Sequence, residues 1–136
     1  MLKRFSIAVD DELLARFNTL LENARYENRS EAIRDLIRDA LVREEWESDD
    51  ALTTGTVVLV YDHHKHDLMK KLTDIQHESV DLLVASLHTH LDEHHCQEII
   101  VMRGSVAEMK RVANRLISTN GVKHGRMLPS TTGKGI

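Results

Sequence analysis

The chain has almost no cysteine: a single residue, Cys96, among 136. One thiol cannot form an internal disulfide, so nothing points to an oxidising compartment. Aromatic residues are also scarce, at 4% of the sequence, so cores must be built from Leu, Val, Ile and Met. No run of about 18 apolar residues occurs, and the opening MLKRFSIAVDD lacks the apolar segment of a secretory signal. These absences argue against a membrane location, and the cytoplasm is the expected compartment. Basic excess is missing too: 18 Lys and Arg face 22 Asp and Glu, giving a net charge of -4 and a pI near 6.1. That argues against a uniformly basic nucleic-acid binder, but leaves room for a local basic patch. Histidine is absent from the first 62 residues. All nine, at 63, 64, 66, 77, 88, 90, 94, 95 and 124, lie beyond them with the sole cysteine. Two small modules with different chemistry are implied.

The first module spans residues 1–47. Residues 3–9 alternate, with Phe5, Ile7 and Val9 on one face and Arg4, Ser6 and Ala8 on the other, the pattern of a short half-buried strand. Asp10 and Asp11 supply a helix cap and a first-turn acid. Leu13, Leu14, Phe17, Leu20, Leu21 and Ala24 then follow at helical spacing. A second helix starts near Asn28 or Ser30, with Glu31 in capping-box register to Asn28 and a stripe through Ala32, Ile33, Leu36, Ile37, Ala40 and Leu41. Strand, helix, helix is too little to bury a core alone, and one strand leaves its backbone groups unpaired. Both problems vanish if two copies pair their strands, as in the ribbon-helix-helix fold, whose two-stranded ribbon enters the DNA major groove. On that reading Arg4, Ser6 and Ala8 face the bases. Asn28, Arg29 and Ser30, at the N-terminus of the second helix, face a phosphate.

Residues 48–55, SDDALTTG, read as a linker. Beyond it come a β-rich run (56–62), a helix over 64–79 striped by Leu68, Leu72 and Ile75, and a strand in VDLLVASLHTHLD. A third strand, HCQEIIVMRGS, is followed by a helix over 106–119, an Asn120-Gly121 stop and a final strand, VKHGRML. The order βαββαβ over 56–128 is the split ferredoxin-like pattern, so the fold class is α+β. Residues 129–136 read as a disordered tail.

The second module is organised around QHESVDLLVASLHTHLDEHHC, residues 76–96. On a strand His88 and His90 share a face, and Cys96 follows within reach of a turn. Two imidazoles and a thiolate suit Ni²⁺, Cu²⁺, Co²⁺ or Zn²⁺. No nucleophile-and-base set accompanies Cys96 outside this cluster, which argues against an enzyme.

A ribbon-helix-helix unit carrying NRSEAIRD, joined to a βαββαβ domain carrying QH(x10)HTH(x5)C, resembles the NikR family of nickel-responsive transcriptional regulators. The resemblance covers residues 2 to about 128. It implies C-terminal domains of ACT type at the centre of a homotetramer, a dimer of dimers, with the DNA-binding dimers at either end. It implies one Ni²⁺ per chain in a planar site of His88, His90 and Cys96, completed by His77 of a neighbouring subunit. Planar four-coordination suits Ni²⁺ or Cu²⁺, whereas zinc prefers a tetrahedron. It further implies a potassium-like cation at the domain junction, held by the carboxylates of Glu31 and Asp35 and by carbonyls near Ile117, Thr119 and Val122. The expected output is nickel-dependent binding to operator DNA and repression of nickel-uptake genes.

The chain departs from the family at the ribbon, where Arg, Thr, Thr is common and Arg4, Ser6 and Ala8 stand here; Ala8 offers only a methyl contact. In His63-His64-Lys65-His66, Lys65 is a candidate phosphate contact and the histidines a candidate weaker metal site. Otherwise His63, His64, His66 and His124 read as surface or interface residues, and His94 and His95 as a turn surface. Two other readings stay open. One is the same fold answering zinc, copper or cobalt; the other is a ribbon-helix-helix regulator answering a small organic ligand.

Overall fold

The computed structural model describes all residues, 1–136, and divides into two compact units, Met1–Ala40 and Leu41–Ile136. In the first unit, α1 (Asp11–Ala24) begins where the Asp10 carboxylate accepts the Leu13 N–H at 2.8 Å. Asp11 and Glu12 in its first turn complement the helix dipole. It ends at Arg25, whose left-handed backbone (φ 57°) closes the last turn. Of the two caps open to α2 (Arg29–Glu47), Asn28 is used: its Oδ1 accepts the Glu31 N–H at 2.9 Å.

Residues 1–10 form no strand here, contrary to the alternation over 3–9. A strand exists by pairing, and the single chain holds no second edge for this segment. Its apolar face is accordingly open to solvent: Phe5 is 69% and Ile7 65% exposed. Ile7, Val9, Leu13, Phe17, Ile33 and Leu36 line an open apolar hollow of about 390 Å³.

The second unit contains β1 (Leu52–Asp62), α3 (Leu68–Glu78), β2 (Leu83–His90), β3 (His95–Ser105), α4 (Val106–Ile117) and β4 (Val122–Pro129), the expected βαββαβ order. The strands form one antiparallel sheet in the order β2-β3-β1-β4. Strict alternation in β1 and β3 turns Val57, Leu59, Tyr61, Cys96, Ile100 and Met102 into the core. There they meet Leu68 and Leu72 of α3 and Val106, Met109, Val112 and Leu116 of α4. Both helices therefore cover one face. No helix is long and apolar enough to cross a membrane.

Element ends differ from the sequence reading in four places. β1 starts inside the expected 48–55 linker because Thr53, though polar, is fully buried with its hydroxyl donating to Glu45 Oε2 (3.1 Å) or the Ser130 carbonyl (3.2 Å). α3 starts at Leu68, not near 64, because the Asp62 carboxylate takes the His64 N–H at 2.9 Å and holds a turn there. β2 starts at Leu83 because Leu82 and Leu83 close a turn onto Ser79 and Val80. The start of the 129–136 tail is held: Ser130 donates its N–H to the Thr54 carbonyl (3.1 Å), and its own carbonyl accepts from Trp46 Nε1 (2.8 Å). Trp46, near the end of α2, is itself only 6% exposed in the core of the second unit.

Close packing of α4 on β4 depends on Gly125, where a Cβ would lie 2.8 Å from Ile117 Cγ1 and 3.1 Å from Leu59 Cδ2. Gly125→Ala is expected to destabilise the protein by about 1–3 kcal/mol through overpacking. Leu128→Ala, at a 65% exposed position on the same strand, is expected to stay within about 0.5 kcal/mol. Urea denaturation of the two variants checks both.

Candidate metal centre

Strand pairing decides which donors meet. β2 and β3 run antiparallel with His90 opposite Cys96 and His88 opposite Glu98. Side chains repeat every second residue, so all four point to one face of the sheet. This is the helix-covered face, since Cys96 and Glu98 are buried, at 0% and 7% exposure. The His88 and His90 rings lie 5.3 Å apart between centroids. Two imidazoles bound to one ion with ring nitrogens at about 2 Å would have centroids about 4–6 Å apart, so the pair fits a shared metal.

The thiol is protonated in its surroundings: burial pushes it above the ordinary thiol range, and its sulfur lies 3.4 Å from the Tyr61 carbonyl. A metal would have to displace that proton. His77 is exposed near the end of α3 and takes no part in the ring contacts among the other histidines. Within one chain no group of three or more His, Cys, Asp or Glu side chains closes into a metal-holding cluster. The chain thus brings His88, His90 and Cys96 onto one face and does not add His77 to them. The donor chemistry of the three suits a borderline divalent ion.

Beneath these donors lies a network that the sequence reading missed. Glu98 Oε2 accepts from the Tyr61 hydroxyl at 2.7 Å, and Glu98 Oε1 accepts from Gln76 Nε2 at 2.8 Å. The Tyr61 oxygen also lies 3.4 Å from His88 Nδ1. Burial and the Glu98 carboxylate hold the Tyr61 phenol protonated far above its ordinary range, so it remains a donor. Gln76 immediately precedes His77, and the network therefore ties α3 to the sheet directly under His88. The signal was present in the alternation Cys96-x-Glu98-x-Ile100-x-Met102, which places a carboxylate on an otherwise apolar face. A buried carboxylate requires donors.

Of the remaining histidines, His64, His66, His94 and His124 are exposed, as expected, and only His63 and His95 are half-buried. His63 is half-buried, with its ring 5.0 Å from His90 and 4.1 Å from His64, and its Nδ1 is buried without a hydrogen-bond partner. Burial, then the neighbouring His64 and His90, push its pKa down, favouring the neutral ring. His94 sits 5.3 Å from His64. His66 is exposed beside Asp67, and Lys65 is exposed in the turn after β1.

In the first unit, Arg4, Ser6 and Ala8 are exposed on the unpaired segment. Asn28 caps α2, and Arg29 donates from Nε to Asn18 Oδ1 at 3.1 Å; Ser30 is exposed in the first turn. Glu31 is paired with Arg34 and Arg38, and Asp35 with Arg38 and the Tyr26 hydroxyl. In the second unit, Ile117 ends α4 and Val122 begins β4, while the Thr119 carbonyl accepts the Val122 N–H at 3.0 Å.

Residues 3–44 match the ribbon-helix-helix proteins of the copG family, and residues 54–129 match the NikR C terminal nickel binding domain. Together they define a transcriptional regulator with a DNA-binding unit and a metal-binding domain. A protein of Thermococcus onnurineus is 50% identical over 96% of this chain and 95% of its own. One of Geobacter sulfurreducens is 52% identical over 96% and 94%. A third, from Nitratidesulfovibrio vulgaris strain DP4, is 50% identical over 98% and 96%. All three bear the name of a nickel-responsive regulator. A solved structure of an uncharacterized protein from Thermotoga maritima shares the fold alone, with a TM-score of 0.52 at 10% identity over 57% of this chain and 96% of its own. The chain belongs to the NikR family of nickel-responsive regulators, which are transcription factors and not enzymes.

Tyr61 and Gln76 serve one carboxylate, so their contributions should be coupled. Tyr61→Phe and Gln76→Ala are each expected to cost about 1–3 kcal/mol by leaving buried Glu98 short of a donor. A double-mutant cycle in urea should give a coupling of at least about 0.5 kcal/mol.

Proposed function

We propose that this protein binds operator DNA when Ni²⁺ is bound and represses genes for nickel uptake. The observation that carries the reading is the in-register pair His90 and Cys96, with His88 on the same face. Nickel, when bound, supplies a strong cross-link between groups that are otherwise held only by sheet pairing. His77, exposed at the end of a helix that Glu98 tethers through Gln76, is the fourth ligand and comes from a neighbouring subunit, in a homotetramer with one Ni²⁺ per chain. Ligation across subunits makes metal occupancy and assembly geometry mutually dependent, which is the linkage a regulator needs.

The DNA contact is the paired ribbon of two chains. Exposure of Phe5, Ile7 and Val9 beside an apolar hollow supports a second copy as the occupant. Pairing would bury that face and present Arg4, Ser6 and Ala8 to the bases, with Asn28, Arg29, Ser30 and Lys65 at phosphates. A potassium-like cation would take carboxylates from Glu31 and Asp35 and would have to displace Arg34 and Arg38 from them. A DNA partner places the protein in the cytoplasm.

Two outcomes follow. In fluorescence anisotropy with operator DNA, binding is expected only with Ni²⁺ for the wild type and to be lost in Cys96→Ala. Lys65→Ala should lower the salt slope by about 1 without altering sequence preference. Nickel-independent binding, or a Cys96→Ala variant that responds normally, would sink the reading. Separately, mixing His77→Ala and Cys96→Ala chains should restore about one site in four, because each mixed pair builds one intact cross-subunit site. Ligation by His77 of the same chain would restore none.

A further inference from the structure

The β2–β3 turn carries an arrangement that neither metal ligation nor DNA contact uses. Asp92 Oδ1 accepts the backbone N–H of His94 and of His95, each at 2.8 Å. In return the Leu91 and Asp92 N–H groups donate to the His95 carbonyl at 2.8 and 3.3 Å, so the turn is closed from both sides. The same carboxylate meets His95 Nδ1 at 2.9 Å, and His95 Nε2 lies 2.7 Å from Lys123 Nζ. An ammonium can only donate, so Nε2 accepts and Nδ1 carries the hydrogen given to Asp92.

The links cross three strands. His95 of β3 pairs with Asp62 of β1, and Lys123 of β4 is the extra residue at the bulge between Val60 and Tyr61. Bulges re-aim side chains, and this one aims an amine over β1 at the turn. His95 and Cys96 are neighbours on one strand, so they project to opposite faces. The chain of bonds therefore runs on the face away from the helices, while the thiol points beneath them. His90 and Cys96 are the ladder pair next to this turn. Fraying at the turn would separate those two donors before any others.

We propose that Asp92, acting through the turn amides and the His95–Lys123 link, is a positioning residue for the nickel ligands His90 and Cys96. This rests on the metal-site reading above. It adds that affinity depends on a side-chain oxygen that never touches the metal.

The test is nickel titration of the full-length protein followed by thiolate-to-nickel charge-transfer absorption. Asp92→Asn keeps an oxygen able to accept from both amides, whereas Asp92→Ala removes it. Partners of metal ligands commonly change affinity 10–100-fold, so Asp92→Ala is expected to bind Ni²⁺ about tenfold more weakly with its bands retained. Asp92→Asn should stay within about threefold of wild type, and His95→Ala should fall between. Thermal melting followed by Trp46 fluorescence checks folding, and if Asp92→Ala does not fold, His95→Ala carries the test. Wild-type affinity in Asp92→Ala, or an Asp92→Asn as weak as Asp92→Ala, would overturn the proposal. A wild-type protein without thiolate bands would instead overturn the metal-site reading and the inference with it.

Discussion

Antiparallel pairing of β2 with β3 is the constraint on which the metal-binding half depends. A slip of one residue would send His88 and His90 to the face opposite Cys96, because side chains alternate with a period of two. Burial of Cys96, Glu98, Ile100 and Met102 fixes which face β3 turns to the core, and the ladder of β2 on β3 carries that choice over to His88 and His90. β2 itself is largely exposed and contributes little to that burial. Its position comes from the ladder with β3 and from the closed turn that joins them.

Glu98 gives this arrangement a second purpose. An unpaired buried carboxylate is costly, and Tyr61 and Gln76 satisfy it from β1 and α3 respectively. Three elements thus meet under His88, whose ring approaches the same tyrosine oxygen. Any ion that fixes the His88 ring also acts on a network reaching the residue next to His77. A regulator needs only about 1–3 kcal/mol of coupling between ligand and DNA affinity. A shared set of buried hydrogen bonds is of that order.

Much of this was legible in the sequence because periodicity reports burial. Alternation placed β3 at its observed bounds, and the helical stripe through Val106, Met109, Val112 and Leu116 is the buried face of α4. The H-x-H spacing correctly set two imidazoles on one face. Local hydrogen-bonding chemistry was less legible. Thr53 and Thr54 read as linker residues because hydroxyls look like solvent-facing groups until their acceptors are known. Asp62 and Asp92 shape turns through side-chain-to-backbone bonds that leave no periodic trace. The expected strand over 3–9 is absent for another reason: a strand needs a paired edge, and one chain offers none to this segment. The approach of His63 to His90 was not legible, because nothing in its local spacing shows that β1 ends beside His90.

The central claim is that one sulfur and three imidazoles hold the nickel, the sulfur and two of the imidazoles being joined by sheet register. X-ray absorption spectroscopy at the nickel edge of the loaded wild-type protein tests it most directly. The account predicts a four-coordinate planar ion with one sulfur at about 2.2 Å and imidazole nitrogens at about 2 Å. A six-coordinate ion surrounded by oxygen and nitrogen, with no sulfur scatterer, would contradict it.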